Sequence, residues 1–293
     1  MGTELDSRGV DTHDPLWSAL ALTTAPEAVR QVHTDYLKAG ARVITTNTYQ
    51  ATLPALLRAG HDAHRAREVI AAGARLAGEA ARRFEAEHPE AQLLIAGGLG
   101  PYGAYLADGS EYTGVYDVGA LDAPVFRDVH LPRIEMLAGE GIDLFALETL
   151  PRLDEAQALV GAVEDLAAES ECWVSFQVRP DGAHLADGTP LAEAAAWAAD
   201  QETVVAVGVN CVAPDVVARA LPVLREATTK PLVAYPNSGD LYDPATKTWK
   251  AGEEGDGLAA LAPSWGASGV RLIGGCCRTR PAQIRELAHA LSA

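Results

Sequence analysis

Two adjacent cysteines follow a glycine pair near the end of the chain, in Gly274-Gly275-Cys276-Cys277-Arg278-Thr279. A third ends the apolar run Val204-Val205-Ala206-Val207-Gly208-Val209-Asn210-Cys211. These are three of only 4 cysteines, and each closes a β-branched run that reads as a buried strand. Three thiolates converging on one rim of a barrel would make an open zinc site, its fourth position left for a substrate. The competing reading is that small apolar residues merely end two strands, as free cysteine often does. A vicinal disulfide between Cys276 and Cys277 is a further alternative, disfavoured in a reducing compartment.

Consecutive residues of a strand point to opposite faces, so Cys276 and Cys277 could not share a metal in extended geometry. Gly274-Gly275 relaxes that limit by letting the chain bend. Zinc on three thiolates carries a formal charge of −1, and a thiol entering the fourth position must lose its proton. It stays nucleophilic, because the three thiolates already donate electron density. Such a centre suits alkyl transfer to a thiol. Water-activating zinc sites more often use histidine and carboxylate, and none of the 8 histidines falls at a predicted strand end beside the cysteines.

The elements that must position these groups are short apolar runs alternating with alanine-rich amphipathic stretches. The sequence predicts strands over Arg42–Thr48, Leu93–Gly98, Ile142–Thr149, Cys172–Val178, Val204–Cys211, Pro231–Pro236 and Gly269–Cys276. Helices are predicted over stretches such as Pro26–Ala39, Ala63–Glu87, Leu153–Glu169, Pro214–Ala227 and Pro281–Leu291. Strict alternation means a parallel sheet with helices outside it. Seven strands without a linker-like segment predict a single domain over residues 1–293, a (β/α)8 TIM-type barrel short of one strand. A doubly wound open sheet is the alternative, but no glycine-rich dinucleotide turn follows an early strand.

In such a barrel the reactive groups sit at the C-terminal strand ends. Those ends are polar here: Thr45-Thr46-Asn47-Thr48-Tyr49-Gln50, Glu148-Thr149, Gln177, Asn210-Cys211 and Tyr235-Pro236-Asn237-Ser238-Gly239. The fourth cysteine is set apart by parity, since Cys172, Val174, Phe176 and Val178 share the apolar face of their strand. Cys172 is therefore expected in the core, not among the ligands.

The chain has 293 residues, 48% of them hydrophobic, with no run long enough to span a bilayer and no secretory pattern at its start. Few cysteines and no disulfide framework fit a reducing, cytoplasmic setting. Lys and Arg number 23 against 40 Asp and Glu, a net charge of −17, which argues against nucleic acid or anionic membranes as partners. The oligomeric state, monomer or homo-oligomer, has no signature here.

Gly208-Val209-Asn210-Cys211 and Gly274-Gly275-Cys276-Cys277-Arg278-Thr279 resemble the zinc motifs of the homocysteine S-methyltransferase family. The resemblance covers nearly the whole chain. It includes Met1-Gly2-Thr3-Glu4-Leu5, Thr46-Asn47-Thr48-Tyr49-Gln50-Ala51-Thr52, Glu148-Thr149-Leu150, Tyr235-Pro236-Asn237-Ser238-Gly239 and the segment from Gly100-Pro101-Tyr102-Gly103 to Glu111-Tyr112. That long segment is similar to the branch using sulfonium donors, S-methylmethionine or S-adenosylmethionine. The resemblance implies zinc on Cys211, Cys276 and Cys277, with the homocysteine sulfur in the fourth position. It implies that Glu148 accepts hydrogen bonds from the homocysteine ammonium and that small molecules are the partners. Tyr49, Gln50, Tyr235 and Asn237 are pocket candidates, and Asn210 is set with these substrate-binding candidates, expected more to order the neighbouring loop than to touch substrate. Tyr102, Tyr105 and Tyr112 could face the donor through cation–π contacts, or stiffen their loop, the expected role for two of them.

The resemblance also implies a first strand ahead of Met-Gly-Thr, ending in an acidic residue and glycines. The expectation is that this strand lies in an upstream extension and that two strand edges are otherwise unpaired. A betaine-using or folate-dependent relative fits less well, the one because of the Gly-Pro-Tyr-Gly segment, the other because 293 residues leave no room for further domains. A zinc-stabilised binding protein or a metal-dependent hydrolase are the readings from other classes. Metal content after thiol alkylation distinguishes the first, and activity without added thiol the second.

Overall fold

The computed structural model describes residues 1–12, 14–116, 124–243, 248–250 and 257–292. Its strands are β1 Val43–Thr45, β2 Leu94–Leu99, β3 Leu144–Leu150, β4 Glu171–Phe176, β5 Val204–Asn210, β6 Leu232–Tyr235, β7 Leu241–Asp243, β8 Thr248–Lys250 and β9 Val270–Ile273. β1-β2-β3-β4-β5-β6-β9 form one curled, all-parallel seven-stranded sheet, consistent with a TIM-like fold. The order runs monotonically along the chain. A doubly wound sheet would reverse at a switch point, and this one does not.

Alternation along each strand sorts the side chains into two layers. Cys172, Val174 and Phe176 of β4 pack outward with Ile134, Leu159, Val217 and Leu221 of the surrounding helices. Trp173 of the same strand joins Ala96, Leu144, Ala146, Ala206 and Val233 in a separate inner cluster. Cys172 is 0% exposed, in the core as its parity predicts. The helices that cover the sheet include Pro26–Lys38, Ala63–Glu87, Pro124–Gly139, Leu153–Leu166, Leu191–Asp200, Pro214–Ala227, Leu258–Ala267 and Pro281–Ser292. No helix among the described residues is long and apolar enough to cross a membrane.

The strand predictions hold to within a few residues, with two informative exceptions. The first strand stops at Thr45, not Thr48, because the next three polar side chains bond elsewhere. Thr46 Oγ1 accepts from Gly98 N at 2.9 Å and Thr48 Oγ1 donates to Gly98 O at 2.8 Å, while Asn47 exchanges 2.8 Å bonds with Ser18. Short polar side chains compete with the ladder in this way. The last strand stops at Ile273, so Cys276 lies in the following turn and not in the predicted strand. The antiparallel pair β7–β8 was not expected.

Among the described residues β1 and β9 each pair on one side only. A cavity of about 600 Å³ opens at the C-terminal strand ends and continues down between those edges, past Val43, Leu272, Ile284 and Leu287.

Candidate metal centre and substrate cavity

The end of β9 turns through Gly274-Gly275 because one glycine has no room for a side chain. A Cβ on Gly275 would lie 2.2 Å from Thr279 Cγ2. The turn is tied down by Cys276 N donating to Pro236 O at 2.7 Å, Ser238 N to Cys277 O at 3.1 Å and Thr279 N to Cys276 O at 3.2 Å. Arg278 completes it in the left-handed region at φ 65°, its amide donating to Thr3 Oγ1 at 3.0 Å. Both cysteines can therefore face the same point, as two consecutive strand residues could not.

Cys211 arrives from the end of β5, also left-handed at φ 54°. The Sγ atoms of Cys211, Cys276 and Cys277 all lie within 4.8 Å of one another, with Cys211 and Cys277 at 3.6 Å. Two sulfurs at about 2.3 Å from one zinc in tetrahedral geometry stand about 3.8 Å apart, so the spacing fits a shared ion. Among the described residues no histidine or carboxylate joins the cluster. Hydrogen bonds among the three thiols act in both directions, and burial with the charge of neighbouring thiols holds all three well above the usual thiol range in the absence of a cation. A metal would reverse that preference, since only thiolates bind it.

Glu148 and Thr149 occupy an irregularity in β3, whose register against β4 shifts between Leu147 and Leu150. Thr149 is left-handed at φ 62°. The bend aims Glu148 into the cavity. Burial pushes its carboxyl up to about 7, opposed by a hydrogen bond from Tyr235. Tyr235 is itself held by Trp173 Nε1, which donates to its hydroxyl at 3.0 Å.

Asn210 explains how two strained strand ends are kept in place. Its Oδ1 accepts from Thr149 N and Ser175 Oγ, each at 2.8 Å, and its Nδ2 donates to Thr149 Oγ1 at 2.8 Å. It is 0% exposed, so it orders the strand ends from behind and does not line the cavity. Asn237 is similar: it donates to Cys211 O at 3.4 Å and accepts from Gly239 N at 2.9 Å, outside the cavity lining. Tyr49, Gln50 and Tyr235 do line it. Gln50 Nε2 donates to Ala104 O at 2.8 Å, leaving Oε1 buried without a partner among the described residues.

Of the three tyrosines in the Gly-Pro-Tyr-Gly segment, only Tyr112 reaches the cavity, its hydroxyl 3.9 Å from Cys211 Sγ. Tyr102 packs on Tyr105 and Phe126, with ring centroids 5.3 and 5.9 Å away, and stiffens the segment as expected of two of the three.

Sequence reasoning passed over a buried network behind this wall. Arg133 is 0% exposed and donates to Tyr49 O at 2.8 Å, Gly100 O at 3.0 Å, Val129 O at 3.0 Å and His130 Nδ1 at 2.8 Å. His130 thus carries its proton on Nε2, 3.1 Å from Glu155 Oε1. Glu155 also accepts from Tyr102 N at 2.6 Å and from the Tyr116 hydroxyl. The network clamps Tyr49 to the Gly100–Tyr116 segment. Its one sequence signal was an Arg and a Glu on otherwise apolar helix faces.

A parallel α/β sheet carrying, at its strand ends and over a cavity, three thiols that could hold a metal ion describes a class of α/β enzymes. The chain belongs to the homocysteine S-methyltransferase family, whose model matches residues 1–291. It is 46% identical to the homocysteine S-methyltransferase of Escherichia coli (strain K12) over 291 residues, 98% of this chain and 92% of that protein. It is 41% identical to homocysteine S-methyltransferase YbgG of Bacillus subtilis (strain 168) over 292 residues, 98% of this chain and 91% of that one. The metallated crystal structure of the homocysteine methyltransferase MmuM from Escherichia coli superposes with a TM-score of 0.87 at 43% identity, covering 99% of this chain and 93% of that one.

Proposed function

We propose that this protein transfers a methyl group from a sulfonium donor, S-methylmethionine or S-adenosylmethionine, to the thiol of L-homocysteine, forming methionine. The observation that carries the reading is the cluster of three sulfurs within 4.8 Å at the mouth of a cavity that Glu148 also lines. Residues 1–293 are read as one homocysteine-binding (β/α)8 barrel domain, the position between β1 and β9 being that of an eighth strand. The set of free thiols suits a reducing cytoplasm.

Cys211, Cys276 and Cys277 would hold Zn²⁺ as thiolates. Bound there, zinc supplies the positive charge that lets an added thiol lose its proton near neutral pH. Glu148 accepts hydrogen bonds from the homocysteine ammonium and fixes the amino-acid end. Tyr235 orients that carboxylate, and Tyr49 and Gln50 wall the cavity. A carbon–sulfur bond forms at the homocysteine sulfur as the donor's sulfur–methyl bond breaks. The bonding pair leaves with the donor sulfur, which becomes a neutral thioether, and the thiol proton passes to solvent. The donor is intrinsically activated, so the protein contributes thiolate formation and alignment.

The test is methionine formation from homocysteine with each donor in turn, with and without a zinc chelator. Turnover that needs thiol and sulfonium and stops with the chelator supports the reading. Turnover indifferent to the chelator, or none with either donor, contradicts it.

A further inference from the structure

The cavity holds a second carboxylate besides Glu148. Glu111 lies on a 3₁₀ turn, Ser110–Tyr112, and lines the same cavity as the thiol cluster. Its Oε2 is buried and has no hydrogen-bond partner among the described residues. Burial pushes its carboxyl up to about 7, and the like-sign charge of Asp108 acts in the same direction. An uncompensated carboxylate in such a place is costly unless a cation meets it.

The turn is built to hold this group in place. Gly109 enters it at φ 86°, and Asp108 Oδ1 accepts from Ser110 N at 3.0 Å and from Ser110 Oγ at 2.5 Å. The helix Tyr102–Leu106 packs flush on its backbone through Gly103, where a Cβ would lie 2.5 Å from Glu111 N. Next in sequence, the Tyr112 hydroxyl is 3.9 Å from Cys211 Sγ, so the turn links Glu111 to the thiol cluster. Tyr49 also lies within electrostatic reach of Glu111, its ring set flush on Gly100 and edge-on to Trp17 at 6.4 Å. A carboxylate that shares a cavity with the rings of Trp17, Tyr49 and Tyr112 suits a soft cation.

We propose that Glu111 is the residue that receives the positive charge of the methyl donor, as Glu148 receives that of the acceptor. The inference rests on the functional reading above and adds a division of labour: one carboxylate for each substrate. It also gives a reason for the Gly-Pro-Tyr-Gly segment, whose glycines seat Tyr49 and Glu111 against the cavity.

The experiment measures KM for S-methylmethionine and for homocysteine in zinc-loaded native protein, Glu111→Gln and Glu111→Asp. In parallel, calorimetry without homocysteine compares binding of S-methylmethionine with that of methionine, which has the same skeleton and a neutral sulfur. Loss of one charged contact predicts a donor KM higher by about ten- to hundredfold in Glu111→Gln, with homocysteine KM and zinc content unchanged. The calorimetric preference for the sulfonium should shrink by a similar factor. Glu111→Asp, which keeps the charge, should retain more of that preference than Glu111→Gln, and decides the matter if Glu111→Gln does not fold. An unchanged donor KM, an equal rise in both KM values, or an undiminished sulfonium preference would overturn the proposal. A native protein that binds the sulfonium selectively yet forms no methionine would instead overturn the functional reading, because the calorimetry needs no turnover.

Discussion

Asn210 and Thr149, at the ends of β5 and β3, exchange a reciprocal pair of hydrogen bonds, Thr149 N to Asn210 Oδ1 and Asn210 Nδ2 to Thr149 Oγ1, each 2.8 Å long. The pair locks two residues that flank groups proposed to act in the cavity, since Glu148 precedes Thr149 and Cys211 follows Asn210. Thr149 and Cys211 both adopt left-handed backbone, a conformation that persists only where the surroundings impose it.

Asn210→Ala would leave the Thr149 amide and the Ser175 hydroxyl without their acceptor in a fully buried place. Urea unfolding should show a loss of about 1–3 kcal/mol. Because both flanking groups lose their reference, kcat/KM should fall by more than the stability loss alone produces in a folded sample. Full activity in a folded, zinc-loaded variant would show that the lock is not needed.

The cysteines should divide into two groups. Cys211→Ala, Cys276→Ala and Cys277→Ala each remove one of the three proposed ligands, and metal analysis should find most of the zinc gone along with turnover. Cys172→Ala, on the outer face of β4 among apolar side chains, should keep both and lose about 0.5–1.5 kcal/mol of stability. Metal retention in any of the first three variants would place the ion elsewhere.

Glu148 sets a pH dependence whose sign is fixed by its raised carboxyl. Its pKa moves from 4.5 to about 7 on folding. Below 4.5 the folded and unfolded chains both hold the proton. Between 4.5 and about 7 the unfolded chain gives it up first, so the unliganded protein loses stability across that window as pH rises. The homocysteine ammonium proposed to meet Glu148 would favour the ionised carboxylate, so homocysteine affinity should climb through pH 7 relative to Glu148→Gln. In that variant homocysteine KM should rise about tenfold or more at pH 8, with donor KM unchanged. Parallel pH profiles in the two proteins would place the ammonium elsewhere.

Arg133 is the other buried charge whose removal should be severe. Its guanidinium, lowered by burial to about 10, still donates to three carbonyls and to His130. Arg133→Met orphans those acceptors and leaves Glu155 without its cation, at about 3–5 kcal/mol in chemical denaturation. Arg133→Lys should recover little, because one ammonium cannot span the same fork of acceptors.

The sequence made the parallel alternation, the inner and outer faces of β4 and the three converging cysteines legible, because each rests on local periodicity or on a rare residue type. It did not show that Cys276 leaves the strand. That depends on Thr279 folding back over Gly275, a contact four residues away in a turn without periodicity. Asn210, read as ordering the neighbouring loop, and Asn237, read as a pocket residue, both stand behind the cavity wall, bonded to neighbouring strand ends. An amide at a strand end looks the same whether it meets substrate or a neighbouring backbone. Glu111 and the Arg133–His130–Glu155 network escaped notice for a related reason: burial of a charge is a tertiary fact, and on a helix or turn the same residue types normally face water.

The central claim is that Cys211, Cys276 and Cys277 hold one zinc ion with a position left for the acceptor thiol. X-ray absorption at the zinc edge tests it most directly, on the loaded protein before and after adding homocysteine. The account predicts three sulfurs at about 2.3 Å and one lighter ligand, becoming four sulfurs with homocysteine. A coordination sphere with fewer than three protein sulfurs, or one unchanged by homocysteine, would contradict it.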